Sequence, residues 1–281
     1  MIEKKINIHP KVQAIVFGKT EVVTYLLDNG ANIKYRYRDL TMLVLASLNG
    51  HTEIVLELLN HKVDIHECSS KDGWSSLMLA TKNQHIQTVK ILIDEGANID
   101  HNTRGICALT VAANKDDVGI SQLLIDNGAT IDQPTYAGRT PMMLSIEKGY
   151  VKTPKLLIDR GANINAISRA GWFALGLAAY NNREYQVRML LEHGANINLR
   201  STVENNGEKT ALGLAASAGN TQIVSLLLKH GAKVDNIDWS ALMYAIRAGH
   251  TNVVKILIKV DPRVKMDAYK SLMLEAALER Q

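Results

Sequence analysis

Apolar residues recur along this chain in short clusters with helical spacing, and glycines close the clusters. Residues 135–165 show the pattern, in which Thr140 is expected to cap a first helix and Pro141 to occupy its first turn, where a missing N–H costs nothing. Gly149 and Gly161 supply the left-handed conformation that ends a helix at little cost. Helices this short are marginal in isolation, so each is expected to stack on a copy of itself.

The copies are visible in the chain itself. A closing element of Gly, Ala, a polar residue and Ile or Val starts at residues 30, 96, 128, 161, 194 and 231, and a degenerate Lys-Val-Asp-Ile at 62–65 fills the one gap. The steps between these starting points are 32, 34, 32, 33, 33 and 37 residues. A period near 33 with two short helices indicates a solenoid of stacked repeats.

The pattern divides the chain into an atypical N-terminal unit, seven fuller repeats and a final helix. The N-terminal unit covers residues 1–34, with a short arm at 1–10 and helices at 11–17 and 21–28. The seven repeats fill residues 36–260, at 36–66, 70–100, 102–133, 135–165, 168–199, 205–235 and 236–260. Residues 261–281 predict a half-apolar helix that seals the open end of the array, or alternatively one that is offered to a partner.

The period and the order of turn, helix, turn and helix resemble the ankyrin-repeat family over nearly the whole chain. The resemblance implies an all-α repeat solenoid, with about eight helix-turn-helix units joined by β-hairpin-like loops in a single domain over residues 1–281. Only Thr140-Pro141 keeps the Thr-Pro start of the family, and no repeat has its Thr-Pro-Leu-His. Because that histidine bonds neighbouring loops in the family, we expect thinner polar networks between these repeats.

One step in the series is longer than the others. Residues 200–209 add about four residues to a hairpin loop, which we expect to project further than its neighbours. Extra length in a surface loop costs little free energy, so the pattern is compatible both with a functional loop and with a neutral insertion.

Composition and charge place the chain among cytoplasmic proteins, with the nucleus left open. Cys68 and Cys107 are the only cysteines, which argues against a disulfide framework and for a reducing compartment. The charged start of the chain does not have the pattern of a secretory signal, and no apolar run is long enough to cross a bilayer. We expect a monomer without a cofactor, and the initial methionine with the terminal cap favours a complete protein.

The sequence contains no phosphate loop, dinucleotide fingerprint, zinc-protease pair or nucleophile elbow, so we expect no enzyme activity. His51, His85 and His250 fall at one equivalent position after the first helix, where the resemblance implies turn packing. A metal site at His61, His66 and Cys68 is the alternative use of the remaining side chains, but their spacing matches no standard zinc site. Cys107 replaces a capping threonine and is expected to be a small buried side chain.

Partners of the resembled family lie along a concave face, which is formed by the hairpin tips and the ends of the first helices. Of 35 such positions in this chain, ten are basic and two acidic, a local excess of +8 against a net charge of +4 for the whole chain. All three tryptophans occupy the same tip position. We therefore predict a partner-binding surface at Tyr37, Arg38, Lys71, Trp74, Lys82, Arg104, Lys115, Tyr136, Arg139, Lys148, Arg169, Trp172, Tyr180, Lys209, Trp239 and Arg247.

The combination of aromatic rings and cations fits an acidic peptide or the acidic face of a folded protein, bound by an adaptor, scaffold or inhibitor. Nucleic acid or anionic lipid along the same basic surface is the alternative, although the net charge is low and no nucleic-acid motif is present. A purely structural interpretation also stands beside both, in which each indole covers its own hairpin and the cations are merely solvated.

Overall fold

The computed structural model describes residues 10–201, 209–234 and 241–260. Their helices are α1 (Pro10–Val16), α2 (Thr20–Asp28), α3 (Met42–Asn49), α4 (Thr52–Asn60), α5 (Ser76–Lys82), α6 (Ile86–Asp94), α7 (Ala108–Ala113), α8 (Val118–Asp126), α9 (Pro141–Glu147), α10 (Lys152–Asp159), α11 (Ala174–Tyr180), α12 (Glu184–Glu192), α13 (Ala211–Ser217), α14 (Thr221–Lys229), α15 (Ala241–Arg247) and α16 (Thr251–Val260). This architecture confirms the predicted all-α repeat class. The arm and the capping helix expected at 261–281 lie outside the described residues.

The chain divides into two compact units, Met1–Tyr136 with α1 to α8 and Ala137–Gln281 with α9 to α16. In the first unit, the odd-numbered helices pack on one another in chain order, as do the even-numbered helices. The second unit repeats this arrangement, with α9, α11, α13 and α15 in one row. The assignment of residues 1–281 to one domain stays a prediction. None of the helices in the described ranges has the length and hydrophobicity needed to span a membrane.

Both cores are built from the same helix positions. The leucines two residues after each capping position, such as Leu43, Leu77 and Leu109 in the first unit, are almost completely buried. Leu175 and Leu212 take the equivalent place in the second unit. Burying one such side chain contributes roughly 1.5–3 kcal/mol, which is how helices of fewer than three turns become stable.

The first helices begin with the expected caps. The hydroxyls of Thr41, Thr140 and Thr210 each accept a hydrogen bond from the N–H three residues later, at 3.1 to 3.3 Å. Cys107 stands at the same position and is 1% exposed, which confirms it as a small buried side chain. The hydroxyl of Thr110 accepts a hydrogen bond from the Cys107 N–H at 2.9 Å, so a residue in the first turn of α7 caps the N-terminus of that helix.

The repeat at residues 135–165 follows the prediction at its turns. Pro141 is the first residue of α9, and Gly149 and Gly161 have φ angles of +83° and +85°. The second helix, α10, begins at Lys152 and contains Pro154. The proline is accepted there because the N–H groups of a first turn have no partner within the helix.

Histidines join one repeat to the next at three places. The Nε2 atoms of His51, His85 and His250 each lie 3.1 Å from a backbone carbonyl at the end of the preceding first helix. The role in turn packing is therefore confirmed. The expectation of thinner polar networks than in the family stays a prediction, although these rings do bond the neighbouring repeat from a different sequence position.

Each of these rings lies over a glycine of the preceding repeat. The glycines are Gly18, Gly50 and Gly219, with φ of +65°, +73° and +74°, and a Cβ atom at any of them would lie less than 3.0 Å from the ring. Gly149 is covered in the same way by the guanidinium of Arg183. The glycine therefore provides both the left-handed turn and the space for the side chain above it.

Smaller polar side chains replace the histidine at two of the positions where the left-handed residue is not glycine. Gln84 has φ +61°, and its amide donates to the Asp117 carboxylate at 3.3 Å. Asn182 has φ +56° in the repeat before Asn220, whose amide donates to the carbonyls of Ala179 and Tyr180 at 2.8 Å. Asp116 also has φ +56°, but the next repeat carries Tyr150 at the histidine position, so a short side chain is not required there.

The hairpins between helix pairs are tight turns that bond to one another. Arg38-Asp39 and Arg104-Gly105 have positive φ and are closed by the bridges Tyr37–Leu40 and Thr103–Ile106, as in type I′ turns. The N–H of Ser70 donates to Asp39, that of Tyr136 to Arg104 and that of Arg169 to Ala137, each at 3.1 Å. A bridge between Ser201 and Lys209 closes the longer loop, whose residues 202–208 lie outside the described ranges.

We predict that Gly50→Ala lowers stability much more than Gly30→Ala. The two glycines have φ of +73° and +74°, but a Cβ at Gly50 meets the His85 ring and a Cβ at Gly30 meets nothing within 4 Å. Backbone strain costs about 1–2 kcal/mol in both variants, and the overpacked ring adds about 1–3 kcal/mol in the first. Urea unfolding measures the difference, and equal losses would show that the ring does not constrain the turn. His85→Ala should recover part of the loss in the Gly50→Ala background.

Candidate functional site

Residues from the hairpin tip and from the end of the first helix meet within single repeats. The tip residue precedes the capping position, and its partner lies eight residues further on, at the end of the first helix or directly after it. These tip–helix pairs are, among the described residues, Leu40/Leu48, Trp74/Lys82, Ile106/Asn114, Arg139/Glu147, Trp172/Tyr180 and Lys209/Ser217. Two turns of helix take about seven residues, so the partner returns to the face on which the hairpin stands.

Trp74 and Lys82 form a cation–π pair in the first unit. The Lys82 ammonium lies 5.0 Å from the centre of a Trp74 ring. The backbone of Trp74 is held by buried Ser69, whose hydroxyl accepts from the Trp74 N–H at 2.9 Å and whose own N–H donates to the Trp74 carbonyl. The indole is half-buried, so it covers part of its own repeat and still presents an exposed surface.

Trp172 and Tyr180 form an aromatic pair at the equivalent place in the second unit. Their ring centres are 5.5 Å apart and the planes meet at 66°, an edge-to-face arrangement. Ser168 holds the Trp172 backbone as Ser69 holds Trp74, with bonds of 2.9 and 2.8 Å. Tyr180 is 45% exposed. Each unit thus has a hairpin that is anchored by a serine and presents a tryptophan.

An open groove of about 600 Å³ adjoins this aromatic pair within the second unit. Its lining consists of Trp172, Tyr180, Lys209, Gly213, Leu214, Ser217 and Tyr244. Two successive tip–helix pairs therefore border one depression, and Tyr244 comes from the next first helix, α15. Burial raises the pKa of the Tyr244 hydroxyl, against the lowering effect of Arg247, so this ring is a neutral phenol at ordinary pH.

Arg139 and Glu147 form an ion pair, so this tip is not a bare positive charge. Arg139 was predicted as a partner-binding cation, and the structure gives it an acidic partner in its own repeat. The Arg139 side chain is 22% exposed and that of Glu147 41%. The predicted excess of +8 already counts Glu147, so the total is unchanged, but the Arg139 charge is paired within its own repeat.

The described members of the predicted site all lie at the surface, and they differ in exposure. Exposed members are Arg38, Lys71, Lys82, Arg104, Lys115, Tyr136, Lys148, Arg169, Tyr180 and Arg247. Half-buried members are Tyr37, Trp74, Arg139, Trp172 and Lys209. The Arg38 guanidinium lies 5.3 Å from the centre of the Tyr37 ring. Trp239 lies outside the described residues.

The prediction missed Tyr244, Gly213 and Leu214, which complete the groove. Tyr244 lies four residues after the capping position, where the other repeats have Leu or Val. This replacement of an aliphatic residue by an aromatic one is the feature of the sequence that could have indicated the groove. In the sequence, Gly213 belongs to an Ala-Leu-Gly-Leu-Ala-Ala segment that also occurs at 174–179, and nothing in that segment distinguishes it from Gly176. Its place in a groove could not be predicted without the neighbouring helix.

The histidines and cysteines considered for metal binding have other contacts. Cys68 donates to the His66 carbonyl at 3.3 Å and lies 3.4 Å from His101 Nε2, which is 2.9 Å from the Gly73 carbonyl. Burial raises the pKa of the Cys68 thiol, with a smaller opposing effect from Arg36, and so disfavours the thiolate that nucleophilic or ligand chemistry requires.

His61 instead meets two carboxylates in the first unit. Its ring nitrogens lie 3.5 Å from Asp28 and from Glu57, and within the described ranges these three residues are the one set whose ligand atoms lie within 4.8 Å of one another. The hydrogen bond of the ring to the Glu57 carbonyl raises the pKa of His61 most, and the Glu57 and Asp28 carboxylates raise it further against the effect of desolvation. Exposed groups of this kind are common without a metal ion, and neither His66 nor Cys68 belongs to the cluster.

We predict that His61 titrates with a pKa above 6.5 and that Glu57→Gln or Asp28→Asn lowers this pKa. Each substitution removes one negative charge that favours the imidazolium, whereas the bond to the Glu57 carbonyl remains. NMR titration of the imidazole signals measures the change. A pKa that neither substitution shifts would mean that the carboxylates do not contact the ring in solution.

Comparisons with known proteins agree with this architecture. A family model described as ankyrin repeats in three copies matches residues 11–103, 109–201 and 175–267. The ankyrin repeat domain of Bcl-3, described as a unique member of the IkappaB protein family, has a TM-score of 0.69 and 25% sequence identity. This structural match covers 79% of the chain and 99% of that domain.

Curated relatives share shorter stretches. Alpha-latrocrustotoxin-Lt1a of Latrodectus tredecimguttatus is 33% identical over 92 residues, which is 32% of this chain and 6% of the toxin. The human ankyrin repeat and KH domain-containing protein 1 is 36% identical over 93 residues, 31% of this chain and 4% of that protein. The probable E3 ubiquitin-protein ligase XBOS32 of Oryza sativa subsp. japonica is 31% identical over 85 residues, 30% of this chain and 17% of the ligase. These matches therefore span small parts of the relatives.

Proposed function

Since the chain belongs to the ankyrin-repeat family, whose repeats are a protein–protein interaction module, we propose that it is a non-catalytic adaptor, scaffold or inhibitor. In this proposal it binds the acidic surface or an acidic peptide of another protein in the cytoplasm. The binding surface consists of the hairpin tips and first-helix ends. One observation carries the proposal: Trp74 pairs with the Lys82 ammonium, and Trp172 borders the same groove as Lys209.

The aromatic rings and the cations contribute to binding in different ways. Trp74 and Trp172 are rigid, serine-anchored rings that lose little conformational entropy when a partner covers them. Exposed cations such as Arg38 and Arg104 stand on type I′ turns beyond the helices, where they can attract an acidic partner before contact. A partner that lacked acidic groups would gain binding free energy from contacts with the rings but none from attraction to the cations.

Nucleic acid or anionic lipid remains the competing ligand for the same cations. Affinity for phosphates falls steeply with salt, because binding releases condensed counterions. The rings favour protein, since Trp74 and Trp172 are each half-buried in their own repeat and offer a base only part of a ring on which to stack.

We predict that Trp74→Ala with Trp172→Ala abolishes capture of the partner and lowers stability by about 1–2 kcal/mol per site without unfolding the protein, because each indole is half-buried. The measurement is affinity capture from nuclease-treated lysate, with thermal unfolding of the same preparations. Tyr185→Ala is the matched control, because Tyr185 is a 59% exposed aromatic residue on second helix α12 of the Trp172 repeat. Loss of folding would identify the indoles as core, and capture that disappears only after nuclease treatment would favour nucleic acid.

We predict that Arg104→Glu slows association with the captured protein several-fold at low salt and leaves the dissociation rate nearly unchanged. The exposed Arg104 occupies a left-handed tip position, where Glu suffers the same backbone strain as Arg, so the variant changes the charge alone. Lys90→Glu on α6 changes the net charge equally at an exposed site away from the tips. Stopped-flow association at two salt concentrations measures the effect. Equal on-rates for both variants would contradict steering by the tips.

A further inference from the structure

The groove beside Trp172 differs from the other tip–helix surfaces because it has depth as well as rings. Its volume of about 600 Å³ includes open solvent, and the space inside it for a bound group is about 280 Å³, close to the lower end of the roughly 300–1,000 Å³ that is usual for ligand sites. All its lining residues belong to the second unit, so it is a feature of that unit alone.

Glycine at position 213 forms the floor of this groove. A Cβ atom there would lie 3.3 Å from ring carbon Cδ2 of Tyr244, a tight but adjustable contact. Gly176 has the equivalent place in the preceding repeat, and its Cβ would lie 2.7 Å from Leu214 Cδ1. Both glycines therefore admit a side chain of the next first helix, Leu214 at Gly176 and the Tyr244 ring at Gly213, and the groove lies beside the second of these contacts.

The walls are suited to a large apolar or aromatic side chain. Trp172 and Tyr180 present one wall as an edge-to-face pair, and Tyr244 presents a neutral phenol ring from α15. Leu214 adds an aliphatic surface next to the floor. An entering ring would find aromatic edges and faces, and such contacts add stability beyond the area that they bury.

The charge at the groove selects the sign of the ligand. Among the described residues that line the groove, Lys209 is the cation and none is a carboxylate. The lysine backbone is fixed by Ser201, whose N–H donates to the Lys209 carbonyl at 3.0 Å and whose hydroxyl accepts from the Lys209 N–H at 3.3 Å. Exposed Arg169 and Arg247 take neighbouring tip and helix-end positions in the same unit. Aromatic rings alone would also attract a cationic ligand, but the positive charges of Lys209, Arg169 and Arg247 disfavour such a ligand here.

We infer that the groove binds one aromatic or large aliphatic side chain of an acidic protein segment, with a carboxylate next to that residue on Lys209. The inference rests on the proposed function and adds the place and the chemistry of the anchor. Single-stranded nucleic acid, which would stack a base on the rings and place a phosphate on the lysine, is the outcome that would replace it.

Short synthetic ligands test the inference directly. The probes are the acetylated and amidated pentapeptide Glu-Glu-Phe-Glu-Glu, the same peptide with Gly for Phe, the Lys-Lys-Phe-Lys-Lys peptide and a ten-nucleotide oligo(dT). NMR titration follows the indole N–H signal of Trp172, which is assigned by its loss in Trp172→Phe. We expect the acidic phenylalanine peptide to shift this signal and to bind about tenfold or more tightly than the glycine and lysine peptides.

Two variants block the groove by different means. Ser217→Tyr fills it without a change of charge, and the equivalent position of the preceding repeat already carries Tyr180, so the helix end accommodates a tyrosine. Gly213→Ala raises the floor inside a helix that alanine favours over glycine, so it is expected to fold. Both should weaken binding of the acidic phenylalanine peptide about tenfold. Asn114→Tyr places the same residue at the equivalent position of the first unit and should leave the affinity unchanged.

Lys209→Met tests the charge, and we expect it to remove the preference for the acidic over the lysine peptide. Wild-type affinity in both groove variants, or no shift of the Trp172 signal by the acidic peptide, would overturn the inference. Tighter binding of oligo(dT) than of any peptide would overturn it in favour of nucleic acid. If the groove variants still capture the protein that the double tryptophan variant loses, the groove assignment fails and the interaction module stands. If no protein is captured while the peptide binds as expected, the proposed function fails and the groove remains.

Discussion

The stacking of repeats on one another is the constraint on which this structure depends. The longest helix in the described ranges, α16, has ten residues, and helices of that length do not persist alone in water. Each unit therefore gains its stability from apolar contacts between successive helices and from the polar contacts that set their spacing. The histidines contribute to the spacing, because each ring bonds a carbonyl of the preceding repeat and lies against a glycine that has no side chain.

The chemistry of the surface is a consequence of the same stacking. Because the capping position and the helix length are repeated, the residue before the cap and the residue eight positions later lie on the same face of each repeat, and three such pairs are in contact. The framework does not restrict what the two are, and the pairs observed are a cation–π pair, an ion pair and an aromatic pair. Recognition can therefore vary from repeat to repeat without changing the fold.

Much of the fold could be predicted from the chain, and less of the site. Thr140, Gly149 and the histidines follow local rules of capping and turn geometry, and the structure confirms them. The pairing of Arg139 with Glu147 and the entry of Tyr244 into a groove depend on packing between elements, which the period alone does not specify. The position of Trp239 and the proposed capping helix stay predictions.

The contact between the left-handed residue and the side chain above it limits how such a chain can lengthen or shorten by whole repeats. A repeat that ends its first helix with Gly50 accepts a bulky ring from the repeat that follows, whereas one that ends with Gln84 faces an aspartate. A recombination event that placed a His250-type repeat after Gln84 would press a Cβ atom into an imidazole. Exchange of repeats is thus restricted at junctions where a ring lies over a glycine, and at these junctions the two positions are expected to change together during evolution.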